Sequence, residues 1–240
     1  MAKGLSEASR DKLAHVSTAT ICTALFKCGL RNQYIQDVHP LNPGLGNMVG
    51  PAFTLRYIPA REDLNSISVF ENREHPQRKA IEACPPGSVF MVDSRKDGRA
   101  ASAGSILITR LMKRGVAGFV TDGGLRDSPE IARLDFPTYQ NRPAAPANLT
   151  VHQAVDVNVP IGCGDVAVWP GDVIVGDAEG VAVVPAAMAE EVAEQAHEMT
   201  IFEDFVTEMV LGGQSIVGLY PPTDERNREA FAAWRKACGR

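Results

Sequence analysis

The fold class is decided by the stretch GSVFMVDSRKDGRAASAGSILITRLMKRGVAGFVTD, residues 87–122. Two short apolar runs, residues 87–94 and 116–122, are bounded by turn signals, which predicts two buried strands. The segment between them, residues 102–115, predicts a helix. Leu107, Leu111 and Met112 share one face of this helix. Lys113 and Arg114 occupy its last turn, and Gly115 ends it. Strand, helix and strand in this order predict a parallel pair with a right-handed crossover.

The chain on either side of this unit adds helices and a β-rich region. Residues 9–28 look helical, and Cys28-Gly29 closes that helix. Residues 151–185 alternate in polarity and contain Gly-Asp turns, which predicts two short strands in a hairpin region. Residues 186–211 predict a long amphipathic helix, with apolar side chains at helical spacing (Met188, Val192, Met199, Phe202, Val206, Met209).

The chain shows no clean domain boundary. We therefore expect one α/β domain over residues 1–240 with a mixed sheet. Its C-terminal helical extension is expected over about residues 186–240, where the segment LYPPTDERNREAFAAWRKA looks like an extra helix available for contacts.

Composition excludes several classes of function. The 240 residues are 45% hydrophobic and 22% charged, with net charge −5 and a pI of about 5.6, so no basic surface for nucleic acid is expected. The polar N-terminal residues lack the apolar segment of a signal peptide, and no apolar run is long enough to cross a membrane. Five cysteines without a CxxC pair suit free thiols in a reducing compartment. These features predict a cytoplasmic protein.

A candidate anion site lies where the two predicted strands end. Ligands of parallel α/β units bind beyond the carboxyl ends of the strands. The helix start there offers backbone N–H groups for a carboxylate or phosphate (Gly104, Ser105, Ile106, Leu107). The turn after the second strand offers Arg126, a planar donor for an oxyanion, and Asp127, an oxygen ligand for Mg²⁺ or Mn²⁺. Together these groups could hold a small keto acid.

The same residues also have a structural interpretation. Asp127 and Glu130 fit a capping box, with Asp127 as N-cap and Pro129 in the first turn, and spacing alone favours this cap over a metal ligand. Arg126 could equally be a solvated surface charge. The histidines show no metal-binding spacing, and no GxGxxG or Walker A motif is present. No lysine lies inside an apolar strand, so an aldolase of this sequence should use a metal.

Four motifs together resemble the RraA-like family, which includes the regulator of ribonuclease activity A and the metal-dependent 4-hydroxy-4-methyl-2-oxoglutarate/oxaloacetate aldolases. They are VSTATICTAL (16–25), MVGPAFTLR (48–56), AGSILITRLMKRGVAGFVTDGGLRD (103–127) and PGDVIVGDAEGVAVVP (170–185). The resemblance implies a swivelling β/β/α core, one domain, and assembly as trimers or dimers of trimers.

The resemblance also implies roles for individual residues. In the aldolases of the family, the arginine at the position of Arg126 contacts pyruvate and steadies its enolate, and the aspartate at Asp127 binds Mg²⁺. The amides of Gly104, Ser105, Ile106 and Leu107 would hold the substrate carboxylate. An acidic residue from a neighbouring subunit's C-terminal helix completes the water shell of the metal, and Glu203 is the candidate for it.

One position departs from the aldolase pattern. Ser105 stands where the aldolases have an aspartate, and a serine cannot carry the charge that orders metal-bound water or supports proton transfer. Three hypotheses follow: a divalent-metal lyase (aldolase or decarboxylase) on small 2-keto acids, a non-catalytic binding protein like the family's namesake, and another organic-acid enzyme, such as a hydratase, on the same site. The lyase is favoured.

Overall fold

The helices surround a central sheet. The computed structural model describes residues 5–240, and the first four residues of the polar N-terminal segment lie outside that range. The helices of the described chain are α1 (Glu7–Leu13), α2 (Thr18–Lys27), α3 (Pro76–Ala83), α4 (Ser105–Lys113), α5 (Ser128–Ile131), α6 (Ala189–Leu211) and α7 (Glu225–Cys238). Short 3-10 turns span Ile67–Glu71, Asn148–Thr150 and Ala186–Met188.

The strands form one large sheet and two small ones. They are β1 (His39–Pro40), β2 (Met48–Pro59), β3 (Val89–Asp93), β4 (Ala101–Ala103), β5 (Gly118–Thr121), β6 (Gly124–Leu125), β7 (Thr138–Gln140), β8 (Arg142–Pro143), β9 (His152–Val157), β10 (Ile161–Cys163), β11 (Val166–Val168), β12 (Val173–Gly176) and β13 (Val181–Val184). The large sheet has the order β1-β7-β5-β3-β2-β12-β13, with β9 also paired to β2. β10 and β11 form a hairpin, and β4, β6 and β8 form a three-stranded sheet.

The predicted α/β domain with a mixed sheet is confirmed. β2, β3, β5 and β7 pair in parallel, whereas β1, β9, β12 and β13 join by antiparallel pairs. The predicted parallel pair is β3 and β5, in which Val89 lies opposite Gly118. The predicted hairpin is β12 and β13, in which Val173 lies opposite Val184.

Alternating side chains of the central strands fill the core on both faces of the sheet. Phe90 and Val92 of β3 pack with Ile108 and Leu111 of α4 on one face. Met91, their neighbour in sequence, packs on the other face with residues of the β10–β11 hairpin and of β12 and β13. Because successive strand residues point to opposite faces, a strand buried on both sides reads as a continuous apolar run.

The N-terminal prediction was wrong in one respect: residues 9–28 form two helices rather than one. The chain breaks after Leu13, and Ser17 begins α2 as its N-cap, because its hydroxyl accepts a hydrogen bond from the Thr20 N–H at 3.1 Å. Asn47 donates from its side chain to the carbonyl of Val16 at 2.8 Å and thereby stabilises the break.

The C-terminal helices pack against each other through aromatic side chains. Phe231 and Trp234 of α7 lie with ring centroids 5.4 and 5.8 Å from that of Phe205 on α6. The extra helix foreseen in this segment is therefore α7. Among residues 5–240, no helix has both the length and the apolar character needed to span a membrane.

Candidate active site

Two short strands bring the predicted site segments together. β4 runs parallel to β6, with Ala103 opposite Leu125, and the Arg126 N–H donates to the Ala103 carbonyl at 3.2 Å. β4 leads into Gly104, the N-cap of α4, and β6 leads into Arg126 and Asp127. The start of α4 and the Arg-Asp pair are therefore neighbours, as the sequence predicted, although the sequence analysis had placed residues 102–104 within the helix.

The close approach of the two segments requires glycine at position 104. A Cβ atom there would lie 2.8 Å from Arg126 Cγ and 2.9 Å from Asp127 Oδ2, closer than real Cβ contacts. Gly104 therefore lets the Arg126-Asp127 backbone and side chains reach the first turn of α4.

Asp127 is the N-cap residue of the predicted helix, α5, but its side chain caps another helix, α4. It occupies the N-cap position of α5 in the left-handed conformation, with φ of 60°, and its side chain makes no capping hydrogen bond there. Instead its Oδ2 accepts hydrogen bonds from the N–H and the hydroxyl of Ser105, both at 3.1 Å, at the first residue of α4. The predicted N-cap position of Asp127 and the proline in the first turn are confirmed, whereas the side-chain hydrogen bonds of the capping box are absent, since the Asp127 carboxylate is engaged by Ser105 of the preceding helix.

These contacts keep Asp127 ionised. The hydrogen bond from the Ser105 N–H, together with that from its hydroxyl and the charge of Arg126, holds the pKa of Asp127 below its ordinary value. The Nε atom of Arg126 lies 3.7 Å from the same Oδ2. Within the described chain no protein group donates to Oδ1 of Asp127, so this oxygen remains available to a ligand.

The helix start offers fewer amides than the sequence suggested. The Ser105 N–H is engaged by Asp127, and the Leu107 N–H donates to the Gly104 carbonyl at 3.1 Å. No acceptor within residues 5–240 takes the Ile106 N–H, which lies in the first turn of α4. The N–H of Gly104, the N-cap residue, has no acceptor in this range either, so Gly104 and Ile106 supply the two unoccupied donors at the positive end of the helix dipole.

A cleft of about 240 Å³ opens over these groups. Its lining comes from four parts of the chain: Phe70, Gln77 and Arg78; Ala101, Ser102, Ala103, Gly104, Ile106 and Leu107; Arg126 and Asp127; and Ala147 and Asn148. Gln77 fixes its floor by donating to the Tyr57 hydroxyl at 2.8 Å and to the Ser102 carbonyl at 2.9 Å. Ser105 contacts this region through Asp127 rather than by lining the cleft.

Four residues of the cleft were not predicted from the sequence: Phe70, Gln77, Arg78 and Asn148. Phe70 and Asn148 lie in 3-10 turns, and Gln77 and Arg78 lie on α3, far in sequence from the Arg-Asp pair. No local motif marks them. Gln77 shares one face of α3 with Ala80 and Ile81, and a glutamine on the apolar side of an amphipathic helix is the one signal that could have suggested a polar contact.

Glu203, the candidate metal ligand on α6, lies outside the cleft of its own chain. Its carboxylate accepts hydrogen bonds from the hydroxyls of Thr20 at 2.8 Å and Tyr220 at 3.4 Å. The described residues contain no cluster of three or more His, Cys, Asp or Glu side chains that could hold a metal ion. Glu203 could therefore reach a metal at Asp127 only from a neighbouring copy of the chain, as the resemblance implied.

The comparison with known families decides the identity of the fold. The sequence profile of the RraA-like family, described as Aldolase/RraA, matches residues 18–183. The chain belongs to the RraA-like family. All residues that line the cleft fall within the matched range, whereas Glu203 falls outside it.

Relatives of this RraA-like chain carry two kinds of name. A protein of Halalkalibacterium halodurans, provisionally named 4-hydroxy-4-methyl-2-oxoglutarate aldolase, is 33% identical over 193 residues, which are 80% of this chain and 85% of that protein. The crystal structure of Streptomyces coelicolor RraAS2, described as an unusual member of the RNase ES inhibitor RraA family, has a TM-score of 0.74 at 28% identity. It covers 85% of this chain and 97% of that chain.

An uncharacterized protein from Pseudomonas syringae pv. tomato shares the fold. Its crystal structure has a TM-score of 0.77 at 24% identity and covers 91% of this chain and 99% of that chain. The fold therefore extends well beyond residues 18–183.

Proposed function

We propose that this RraA-like chain is a divalent-metal-dependent lyase that acts on small 2-keto acids through pyruvate-enolate chemistry, as an aldolase or an oxaloacetate decarboxylase. The observation that carries the proposal is the convergence of Arg126, the Asp127 carboxylate and the first turn of α4 in one cleft. The aldolase name of the Halalkalibacterium relative supports a reaction of this class.

The donor set of the cleft fits Mg²⁺ or Mn²⁺. Asp127 is ionised and keeps Oδ1 without a protein donor in the described chain. Mg²⁺ usually binds through one or two carboxylates and retains several waters, so one aspartate per chain is sufficient protein ligation. Glu203 of a neighbouring copy would contribute through the water shell. When bound, such a cation acts as a Lewis acid that polarises the keto oxygen of the substrate.

The chain's own residues bind the substrate and stabilise charge. The Ile106 N–H and the positive end of α4 bind the substrate carboxylate, and the half-exposed Arg126 guanidinium donates to the keto oxygen. When the C–C bond breaks, its electron pair passes to the pyruvate fragment, and negative charge develops on the keto oxygen. Arg126 is already positioned to stabilise this charge, which favours cleavage. The other product leaves as CO₂ from oxaloacetate, or as a second pyruvate from 4-hydroxy-4-methyl-2-oxoglutarate, whose hydroxyl proton passes to water. Leu107 and Phe70 add apolar surface that limits water in the cleft.

Pyruvate release from oxaloacetate and from 4-hydroxy-4-methyl-2-oxoglutarate tests the proposal. We expect turnover with Mg²⁺, none with chelator, and a loss of at least about a hundredfold in Asp127→Ala, since a hard-cation site with one carboxylate loses its only protein ligand. Ser105→Asp would place a second carboxylate about 3 Å from Asp127. Turnover only in Ser105→Asp would mean that Ser105 has abolished activity on these substrates or has changed the substrate of the site.

A non-catalytic role is the second candidate, and Ser105 is the observation that favours it. Its hydroxyl donates to Asp127 and supplies no charge of its own, unlike the aspartate of the aldolases. The RraAS2 structure, described as a member of an RNase ES inhibitor family, supports such a role. Absence of turnover in wild type and in both variants, across a panel that also includes hydratase substrates, would favour a binding protein.

A further inference from the structure

Arg78 holds a defined position in the wall of the cleft. It lies on α3 and is partly buried, and its guanidinium carbon sits 4.4 Å above the centre of the Phe70 ring. Stacking on an aromatic face restrains a guanidinium and leaves its N–H groups, which lie in the guanidinium plane, able to bind a carboxylate. The side chain is thus held before any ligand binds.

The charge of Arg78 has no carboxylate partner within the described part of the chain. Two nearby acidic side chains are engaged elsewhere: Glu82 pairs with Arg110 at 2.8 Å and Glu74 pairs with Lys79 at 2.7 Å. Glu71 lines the second cleft beside Arg78 but makes no ion pair with it within 4 Å. A partly buried cation without a counterion is costly unless a ligand supplies the negative charge.

The field of Arg78 reaches the floor of the cleft. Burial raises the pKa of the Tyr57 hydroxyl, and the hydrogen bond from Gln77 and the charge of Arg78 oppose that rise. Burial lowers the pKa of His75, and the charge of Arg78 lowers it further. Both neighbours therefore lie in the positive potential of this guanidinium.

In the part of the chain that the structure describes, three charged side chains line the cleft: Arg78, Arg126 and Asp127. Two are positive and one is negative, and a divalent cation on Asp127 would make the excess of positive charge larger. A ligand with a single carboxylate would leave Arg78 without a partner. A second cleft of about 560 Å³ shares Phe70 and Arg78 with the first, so this wall also has room for the distal part of a longer substrate.

We propose that Arg78, held over the Phe70 ring, binds the second carboxylate of a 2-keto diacid and makes the site selective for diacids over 2-keto monoacids. The proposal rests on the proposed function for the placement of the first carboxylate at the start of α4 and of the keto oxygen at Arg126. Arg78 is then a specificity-determining residue supplied by α3.

Calorimetric titration with pyruvate and with 2-oxoglutarate, both with Mg²⁺ in excess, tests this assignment. Arg78→Gln should raise the Kd of 2-oxoglutarate about tenfold to a hundredfold, the usual effect of one charge-assisted interaction, and change the Kd of pyruvate less than about twofold. Arg126→Gln should weaken both probes. Arg31→Gln is the matched control, because the Arg31 guanidinium also stacks on an aromatic ring, 5.3 Å from the centre of Phe26, but lines neither cleft and should leave both affinities unchanged.

Equal weakening of both probes by Arg78→Gln, no weakening of either, or no binding of either probe by the wild type would overturn the proposal. Near-UV circular dichroism checks that the variant is folded. If it is not, Arg78→Lys, which keeps the charge and loses the planar donor, should show a smaller loss confined to 2-oxoglutarate. Selective binding of the diacid without turnover of any keto acid would refute the proposed lyase and leave the role of Arg78 standing.

Discussion

At the scale of single residues, the site depends on the contact between Ser105 and Asp127. One oxygen of Asp127 is fixed by two donors of Ser105, and this contact is possible only because residue 104 lacks a side chain. An aspartate in place of Ser105 would set two carboxylates against each other and would favour binding of a cation between them. A serine leaves Asp127 as the only carboxylate that lines the cleft among residues 5–240.

Gly104→Ala should therefore damage both stability and the site. The new methyl group would force Arg126 and Asp127 away from α4, and overpacking of this kind costs about 1–3 kcal/mol in the free energy of unfolding. Urea denaturation and pyruvate release measure the two effects. Gly162→Ala is the control, because a Cβ atom at that position would have no neighbour within 4 Å and the change should be close to neutral. An unchanged activity in Gly104→Ala would contradict the close approach of Arg126 and Asp127 to residue 104.

Asp122 makes the unfolding free energy depend on pH. Burial raises its pKa to about 6, although its oxygens accept backbone hydrogen bonds from Ser94, Lys96 and Gly164. Because the folded state holds this proton more tightly than the unfolded state, the contribution of Asp122 to stability is largest below pH 4 and falls as pH rises through 6. The fall is on the order of 3 kcal/mol, which corresponds to a pKa of about 6 in place of the ordinary 3.8.

The comparison with Asp122→Asn isolates this effect from other titrating groups. Urea denaturation at pH values between 4 and 7 should show wild type losing unfolding free energy relative to the variant as pH rises. The variant is expected to be less stable at every pH, because an amide cannot accept all three backbone hydrogen bonds. If the difference in unfolding free energy between wild type and Asp122→Asn does not change with pH, Asp122 is not the cause of the pH dependence.

At the scale of elements, local capping decides where helices begin, whereas pairing with a neighbouring segment decides where the shortest strands form. The break between α1 and α2 follows from Ser17, which had a local signal, since serine is a preferred N-cap. β4 and β6 had no such signal, because two or three residues are too few to show a period of two. Only their pairing makes them strands.

Ser17→Ala should destabilise the chain by about 1 kcal/mol, since the Thr20 N–H would lose its acceptor at the start of α2. Thr23→Ala serves as the control on the same helix. Thr23 is exposed, and alanine has the higher helix propensity, so this change should be neutral or slightly stabilising. Equal effects of the two changes on the free energy of unfolding would argue against the cap.

At the scale of the whole molecule, the single chain leaves apolar surface exposed near the end of α6. Leu211 and Val217 are 83% and 85% exposed, and the nearby Ile216 and Tyr220 are 58% and 50% exposed. Exposed apolar side chains grouped in this way are typical of surfaces that contact other chains. This exposed surface is consistent with the predicted trimer or dimer of trimers, which light scattering can measure against the chain mass of 25.8 kDa.

Subunit mixing tests whether Glu203 completes a neighbour's site. Asp127→Ala and Glu203→Gln should each be inactive alone, but mixed oligomers would contain sites with both native residues. A random equal mixture that is refolded together should regain about a quarter of wild-type activity, the fraction expected when one residue comes from each of two subunits. Failure to regain activity, with mixed oligomers demonstrated, would exclude Glu203 from a shared site.

The sequence by itself determined the class of fold, the strand–helix–strand unit, the β12–β13 hairpin and the place of the Arg126-Asp127 pair, because apolar periodicity and turn chemistry act between residues close in sequence. Only the tertiary structure decided that Asp127 caps α4, and that Phe70, Gln77 and Arg78 face the same cleft as Arg126. Those contacts depend on the register of β4 against β6 and on the packing of α3 against the sheet. Both are long-range interactions that no short stretch of sequence encodes.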